Sequence, residues 1–253
     1  MIYLKSEREL EVMDRANQLV LQVLAELGDL VEPGVSTADL DRHAERRILD
    51  AGARPAFKGY RGYPATLCAS VNHEVVHGIP SPRRILKDGD ILGMDLGTIV
   101  DGYFGDGAIT VAVGSITPEA QRLIAVTVEA LRRGIDAART GKRVSDIGHA
   151  VQVYVESQGF SVVRDFVGHG IGRALHEEPQ VPNFGAPNEL ERLRAGMVLA
   201  IEPMVTVGDW RVRLEDDQWT AVTVDGSISA HFERSVAVTA DGPRVLGSKE
   251  GRF

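Results

Sequence analysis

DILGMDLGTIVDGYFGDGAITVAVG, residues 90–114, sets the architecture. Asp101-Gly102 at its centre is a strong signal for a tight hairpin turn, and the runs on either side are strand-like. With the turn at 101–102, Val100 pairs with Tyr103 and Gly97 with Asp106. Asp95 lies two residues from Gly97 and so shares its sheet face. Asp95 and Asp106 are then diagonal neighbours, with Cβ atoms within about 8 Å unless a bulge shifts the register. Aspartate is disfavoured in strands, and two buried carboxylates side by side repel. Taken singly, either aspartate is equally consistent with facing solvent or capping a turn.

The oddity repeats downstream. Glu202 sits in MVLAIEPMV (197–205) and Glu233 in SAHFERSVAVT (229–239), both strand-like. Four acids embedded in apolar strands point to a divalent cation that neutralises them. Oxygen and imidazole donors without thiolate suit Mn, Fe(II), Co or Zn. GHGIGRALHEEP (168–179) offers His169 as the imidazole, with a second histidine at 176. Each interior glycine costs a helix about 1 kcal/mol, so the glycines at 168, 170 and 172 argue against one. They predict irregular or bent backbone at His169, with a tightly packed neighbour or ligand. A histidine considered alone is more often structural than a ligand.

Elsewhere the punctuation is clear. Ser6 to Glu9 and Ser36 to Asp39 are capping boxes. They open helices that stop near Gly28 and Asp50. Thr117-Pro118 opens a third helix to about Arg139. A fourth follows Ser145 and ends near Gly159, and the last third is strand-like, around a second Asp-Gly turn at 225–226 that predicts a closing hairpin. Helix pairs alternate with strands, which predicts an α+β fold of two similar halves, read as one domain over residues 1–253. Net charge is −8, which argues against a general nucleic-acid or membrane surface. One cysteine, Cys68, excludes an intramolecular disulfide and a thiolate zinc site, and suits a reducing cytoplasm. The start lacks a signal-peptide core, and no run of about 20 apolar residues occurs.

Five motifs in order resemble the type I methionine aminopeptidases: GYPATLCASVNHEVVHGIP (62–80), GDILGMDLGTIVDGYFGD (89–106), GHGIGRALHEEP (168–179), AIEPMV (200–205) and SAHFERS (229–235). The resemblance covers nearly the whole chain. It implies a pita-bread fold, a pseudo-twofold antiparallel sheet covered by two pairs of helices. It implies two divalent metals held by Asp95, Asp106, His169, Glu202 and Glu233, with Asp106 and Glu233 bridging. A water or hydroxide between the metals would attack the first peptide bond. Glu202 would also shuttle protons, while His77 and His176 would act on the scissile peptide. Tyr60, Tyr63, Cys68 and Trp219 would form the methionine pocket. The 32 residues between His169 and Glu202 leave no space for the type II insertion, and no extension with zinc-finger cysteines precedes the domain. The implied substrate is a peptide or nascent chain beginning with Met before a small residue, met by a cytoplasmic monomer, although no ribosome-binding feature stands out. The alternatives are a proline-specific peptidase or an inactive binding protein of the same fold. Proline-specific relatives usually carry a large N-terminal domain, and inactive ones typically lose ligands. Departures from common family forms are Gly93 and Met94, Gly107, Leu175 and Arg234. Leu175 is a candidate to alter the pocket rim, and Arg234 either tunes metal affinity or points outward.

Ile2 is bulky and β-branched. The small-second-residue preference therefore predicts that Met1 is retained in untagged protein, which intact-mass measurement checks.

Overall fold

The structure, a computed structural model, describes residues 1–248. Its first half contains α1 (Glu7–Leu30), α2 (Thr37–Asp50), β1 (Arg54–Pro55), β2 (Leu67–Val71), β3 (Glu74–Val76), β4 (Ile91–Val100) and β5 (Tyr103–Ala112). Then come α3 (Pro118–Ala137), α4 (Val144–Ser157), β6 (Ser161–Val162), β7 (Gly168–Gly170), β8 (Glu177–Val181), β9 (Val198–Ile201) and β10 (Met204–Thr206). β11 (Val212–Leu214), β12 (Ala221–Thr223), β13 (Ser229–His231), β14 (Glu233–Thr239) and β15 (Gly242–Val245) complete the order.

Capping chemistry fixes the helix starts. Ser6 and Ser36 form the two expected boxes, and the Thr117 hydroxyl accepts from Ala120 N ahead of Pro118. α1 runs two residues beyond Gly28. α4 begins at Val144, before Ser145 rather than after it. The Ser145 hydroxyl instead bonds both backbone groups of Glu189, so it fastens a loop.

The main sheet has nine strands, with β1-β4-β5-β14-β9-β7-β8 as its path. β5 and β14 meet at its middle, where Glu233 pairs with Ala108. α1 and α2 turn their apolar stripes to this sheet, and Val20, Leu24 and Leu40 pack with Leu92, Met94 and Leu96 of β4. α3 and α4 do the same in the second half, with Leu131 and Ile147 against Leu199, Ile201 and Val236. Two helix pairs thus cover one face of an antiparallel sheet, the pita-bread arrangement. Strand alternation sends Gly93, Asp95 and Gly97 to the other face. The β4–β5 register is the expected one, Val100 with Tyr103 and Gly97 with Asp106, without a bulge.

Two local expectations fail. Asp225-Gly226 makes a turn but not a hairpin, because β12 pairs with β11 and β3 whereas β13 pairs with β10. The Asp225 carboxylate accepts from Asp209 N and Ser227 N, which holds the turn as a crossing between two small sheets. The closing hairpin is β14–β15, turning at Ala240-Asp241. Secondly, His169 lies on a strand, β7, although its pairing to β8 shifts between His169 and Gly170.

The close neighbour expected beside His169 is present. A Cβ on Gly168 would run into the Ala200 carbonyl oxygen, and one on Gly170 into that of Glu178. Backbone cannot yield as a side chain can. Gly168→Ala should therefore destabilise by about 1–3 kcal/mol, as overpacking does, and lower Tm by several degrees in thermal unfolding.

Candidate metal and peptide site

The face opposite the helices carries the acids. Asp95 on β4, Asp106 on β5 and Glu233 on β14 point the same way, since Asp95 and Glu233 each pair with Ala108. His169 on β7 joins them through Ala200, which also pairs with Ser235. Glu202 directly follows β9. Ligand atoms of Asp106, His169 and Glu233 lie within 4.8 Å of one another. His169 Nε2 is 3.5 Å from Glu202 Oε1 and 3.9 Å from Asp106 Oδ2.

These contacts are not ion pairs. Burial first, then the neighbouring His176, pushes His169 down to about 3, so the ring is neutral. Nδ1–H donates to Gly170 O at 2.9 Å, which leaves the Nε2 lone pair facing the carboxylates. The acids respond oppositely. Burial raises Asp95 to about 7. Burial, and then the charge of Asp95, holds Asp106 well above the carboxylate range. Glu202 and Glu233 are raised by burial first and then by Asp106. Asp95 Oδ1 and Glu233 Oε1 are buried without a hydrogen-bond partner. Buried polar groups are normally satisfied. A cavity that leaves acid oxygens and an imidazole lone pair without partners fits divalent cations.

One cavity of about 290 Å³ gathers every residue singled out in the sequence: Asp95, Asp106, His169, Glu202 and Glu233, with His77, His176, Tyr60, Tyr63, Cys68 and Trp219. Local backbone explains several positions. Cys68 on β2 pairs with Asp95. His77 adopts φ 61, a left-handed conformation just past β3. Tyr60 belongs to a short 3-10 turn, Tyr60–Gly62, and its hydroxyl meets His176 Nδ1 at 2.8 Å. Rings then run in two chains. His169 and His176 are 4.2 Å apart, while Trp219 meets Tyr63 at 5.1 Å and His77 at 6.3 Å. Burial lowers His77 to about 4, with His176 adding to the shift. Burial raises the Cys68 thiol, which keeps it protonated and unreactive.

Sequence reading missed several wall residues, three of them aromatic. Phe57 and Phe166 line the cavity, and Phe166 packs edge-on to His77 at 5.3 Å. His231 is buried, its Nε2 has no hydrogen-bond partner, and it lies 3.9 Å from Glu202 Oε2. Its signal was present: it stands two residues before Glu233 in SAHFERS. Leu175 is buried in the cavity wall. Arg234 turns to the opposite face from Glu233, donating to Ala108 O at 3.1 Å and Glu233 O at 2.6 Å. Its cross-strand partner is Gly107, so two of the departures from family form are one paired feature.

Residues 11–240 match metallopeptidase family M24. The methionine aminopeptidase of Clostridium acetobutylicum is 51% identical over 246 residues, spanning 97% of this chain and 98% of that one. Methionine aminopeptidase 1 of Bacillus subtilis is 50% identical, with 97% and 99% covered. The crystal structure of methionine aminopeptidase from Thermotoga maritima superposes with a TM-score of 0.97 at 44% identity, covering 98% of this chain and all of that one (100%).

The charge state makes a prediction. Above about pH 7.5 histidines are largely neutral in both folded and unfolded chains and drop out. Unfolded carboxylates are ionised there, whereas burial and mutual repulsion shift folded Asp106, Glu202 and Glu233 toward the protonated form. The folded state then binds more protons, so metal-free stability falls as pH rises. Cations that replace those protons remove the loss. The Tm gap between Mn-loaded and chelated protein should widen from about pH 7.5 to 8.5. A constant gap would reject this account of the cluster.

Proposed function

The chain belongs to metallopeptidase family M24 as a type I methionine aminopeptidase, and from that premise we propose how its cavity works. It is a metal-dependent hydrolase that removes N-terminal methionine. The observation that carries the residue roles is the shared cavity, in which unpartnered acid oxygens stand beside neutral histidines and an aromatic wall.

Asp95, Asp106, His169, Glu202 and Glu233 would hold two divalent ions, Co, Mn, Fe(II) or Zn. When bound, these supply Lewis-acid activation of water and of the scissile carbonyl. Glu202 takes up the proton of the attacking water and passes it to the departing amine. Tyr60 O–H donates to His176 Nδ1, which places the proton on Nε2 and makes that nitrogen a donor to the scissile carbonyl. His77, held neutral, donates to the peptide beyond it. Tyr63, Cys68 and Trp219 enclose the methionine side chain. Tyr63 O–H donates to Leu67 O and Gly78 O, so the ring is a fixed wall. A soft sulfur and aromatic surfaces suit a thioether. A cavity of about 290 Å³ is near the low end for enclosed ligands, which favours a small second residue.

Residues 1–253 act as one catalytic domain in this reading, because both sheet halves contribute ligands. The substrates are peptides and nascent chains, met in the cytoplasm by a monomer. Among the described residues, no helix is long and apolar enough to cross a membrane. Residues with ligand chemistry fill all five positions, which speaks against an inactive binding protein.

Protein stripped with a chelator and reloaded with Mn, Fe(II), Co or Zn should release methionine from Met-Ala-Ser, but not cleave Met-Ile-Ser or Ala-Pro-Ser. Cleavage of the proline peptide in preference would unseat the methionine pocket. Glu202→Ala should lower kcat roughly 10²–10⁴-fold. His77→Ala should lower kcat by about 10²-fold with metal content unchanged by elemental analysis, and loss of metal would reassign it.

A further inference from the structure

Lys5 and Glu177 are distant in the chain but form a buried ion pair. The ammonium lies 2.5 Å from Glu177 Oε2, and the two side chains are only 6% and 9% exposed. Lys5 is held from behind as well. Its N–H donates to Gly196 O at 2.7 Å, and its ammonium donates to Tyr3 O at 3.2 Å. Glu177 opens β8, opposite Gly170 of β7. Its other oxygen, Oε1, accepts from Arg173 N at 2.8 Å and from Ala174 N at 3.3 Å. One carboxylate therefore ties residues 1–5 to the turn 171–176 that joins β7 to β8. A Cβ on Gly172 would run into Lys5 Cε, so the pair lies directly against the backbone of that turn.

The turn carries His176 to the rim of the catalytic cavity. That residue is exposed, so burial does not fix it. Contacts with Tyr60 and His169 orient the ring, but the backbone of the turn sets where the ring starts from. Gly172 N donates to Ala174 O at 3.2 Å, and Phe104 N donates to Gly172 O at 2.8 Å. The next two amides, of Arg173 and Ala174, go to Glu177. A shielded carboxylate can serve them only where its charge is compensated. Removing one partner of a buried pair leaves a charge that water must reach, at the expense of the local geometry.

We infer that Lys5 is a positioning residue for methionine release: by compensating Glu177 it holds the turn that places His176 at the scissile carbonyl. The inference rests on the role given above to His176. Lys5 does not line the catalytic cavity, so its effect passes through the turn. A donor to a developing oxyanion must be placed closely, and a displacement of about 1 Å costs up to about 10²-fold in rate.

The test is a double-mutant cycle on Met-Ala-Ser with Mn-loaded enzyme: wild type, Lys5→Met, His176→Ala and both together. Lys5→Met should lower kcat roughly 10-fold, with KM within about twofold and metal content unchanged by elemental analysis. In the His176→Ala background the same change should cost less than about twofold, because a donor already removed cannot be misplaced. A loss of general structural integrity would multiply in both backgrounds. Lys5→Met/Glu177→Gln leaves no buried charge and keeps an acceptor for the two amides. It should return kcat to within about threefold of wild type, and it carries the test where Lys5→Met alone does not fold. Unchanged kcat in Lys5→Met, an equal fall in both backgrounds, or no recovery in the uncharged pair overturns the positioning role while leaving methionine release intact. Unchanged kcat in His176→Ala removes the role of His176 and this inference with it. Failure of wild type to cut the peptide with any metal would overturn the underlying reading as well.

Discussion

The burial of four carboxylates on one sheet face is the constraint on which the rest of this structure depends. An ionised acid removed from water costs several kcal/mol even after relaxation, and Asp95, Asp106, Glu202 and Glu233 add mutual repulsion to that cost. The opposing force comes from the other face of the same strands. Leu92, Met94 and Leu96 alternate with Gly93, Asp95 and Gly97, so Asp95 is held by apolar neighbours that bury against α1 and α2. Asn17 shows how closely the helix and the site are joined. Its Nδ2 donates to Met13 O within α1, and its Oδ1 accepts from Asp106 N across the sheet.

The histidines answer to the same burial with the opposite sign. His77, His169 and His231 are all driven neutral. A neutral imidazole has one donor and one acceptor nitrogen, and what binds one nitrogen determines the work of the other. Gly170 O takes the Nδ1 proton of His169 and leaves a lone pair for a cation. The Tyr60 O–H donates a hydrogen bond to His176 Nδ1 and leaves Nε2 as the donor. Two rings 4.2 Å apart thus present a lone pair and a donor without either carrying charge.

Much of this was legible in the residues. A two-residue turn at Asp101-Gly102 fixes the register of ten paired positions, and with it the side on which both aspartates fall. What escaped depended on partners distant in sequence. Asp225-Gly226 looks like the first turn by local chemistry, but its flanking strands are captured by different sheets. The glycines around His169 signalled close approach correctly, yet not that the approach was by strands on both sides of β7. His231 and Phe166 are ordinary core residues by pattern, and only the closing of the cavity by both sheet halves turns them toward it.

Gly107 and Arg234 carry a lesson for exchanging parts between relatives. A Cβ at Gly107 would come within 3.2 Å of Val20 and 3.5 Å of the Glu233 carbonyl oxygen, the same oxygen that receives the Arg234 guanidinium. The two residues are far apart in the chain, on paired strands from opposite halves. A chimaera that took one half from a relative with another residue at the arginine position would inherit one member of the pair alone. The seam of such a recombinant would fail beside Glu233, not at its junction.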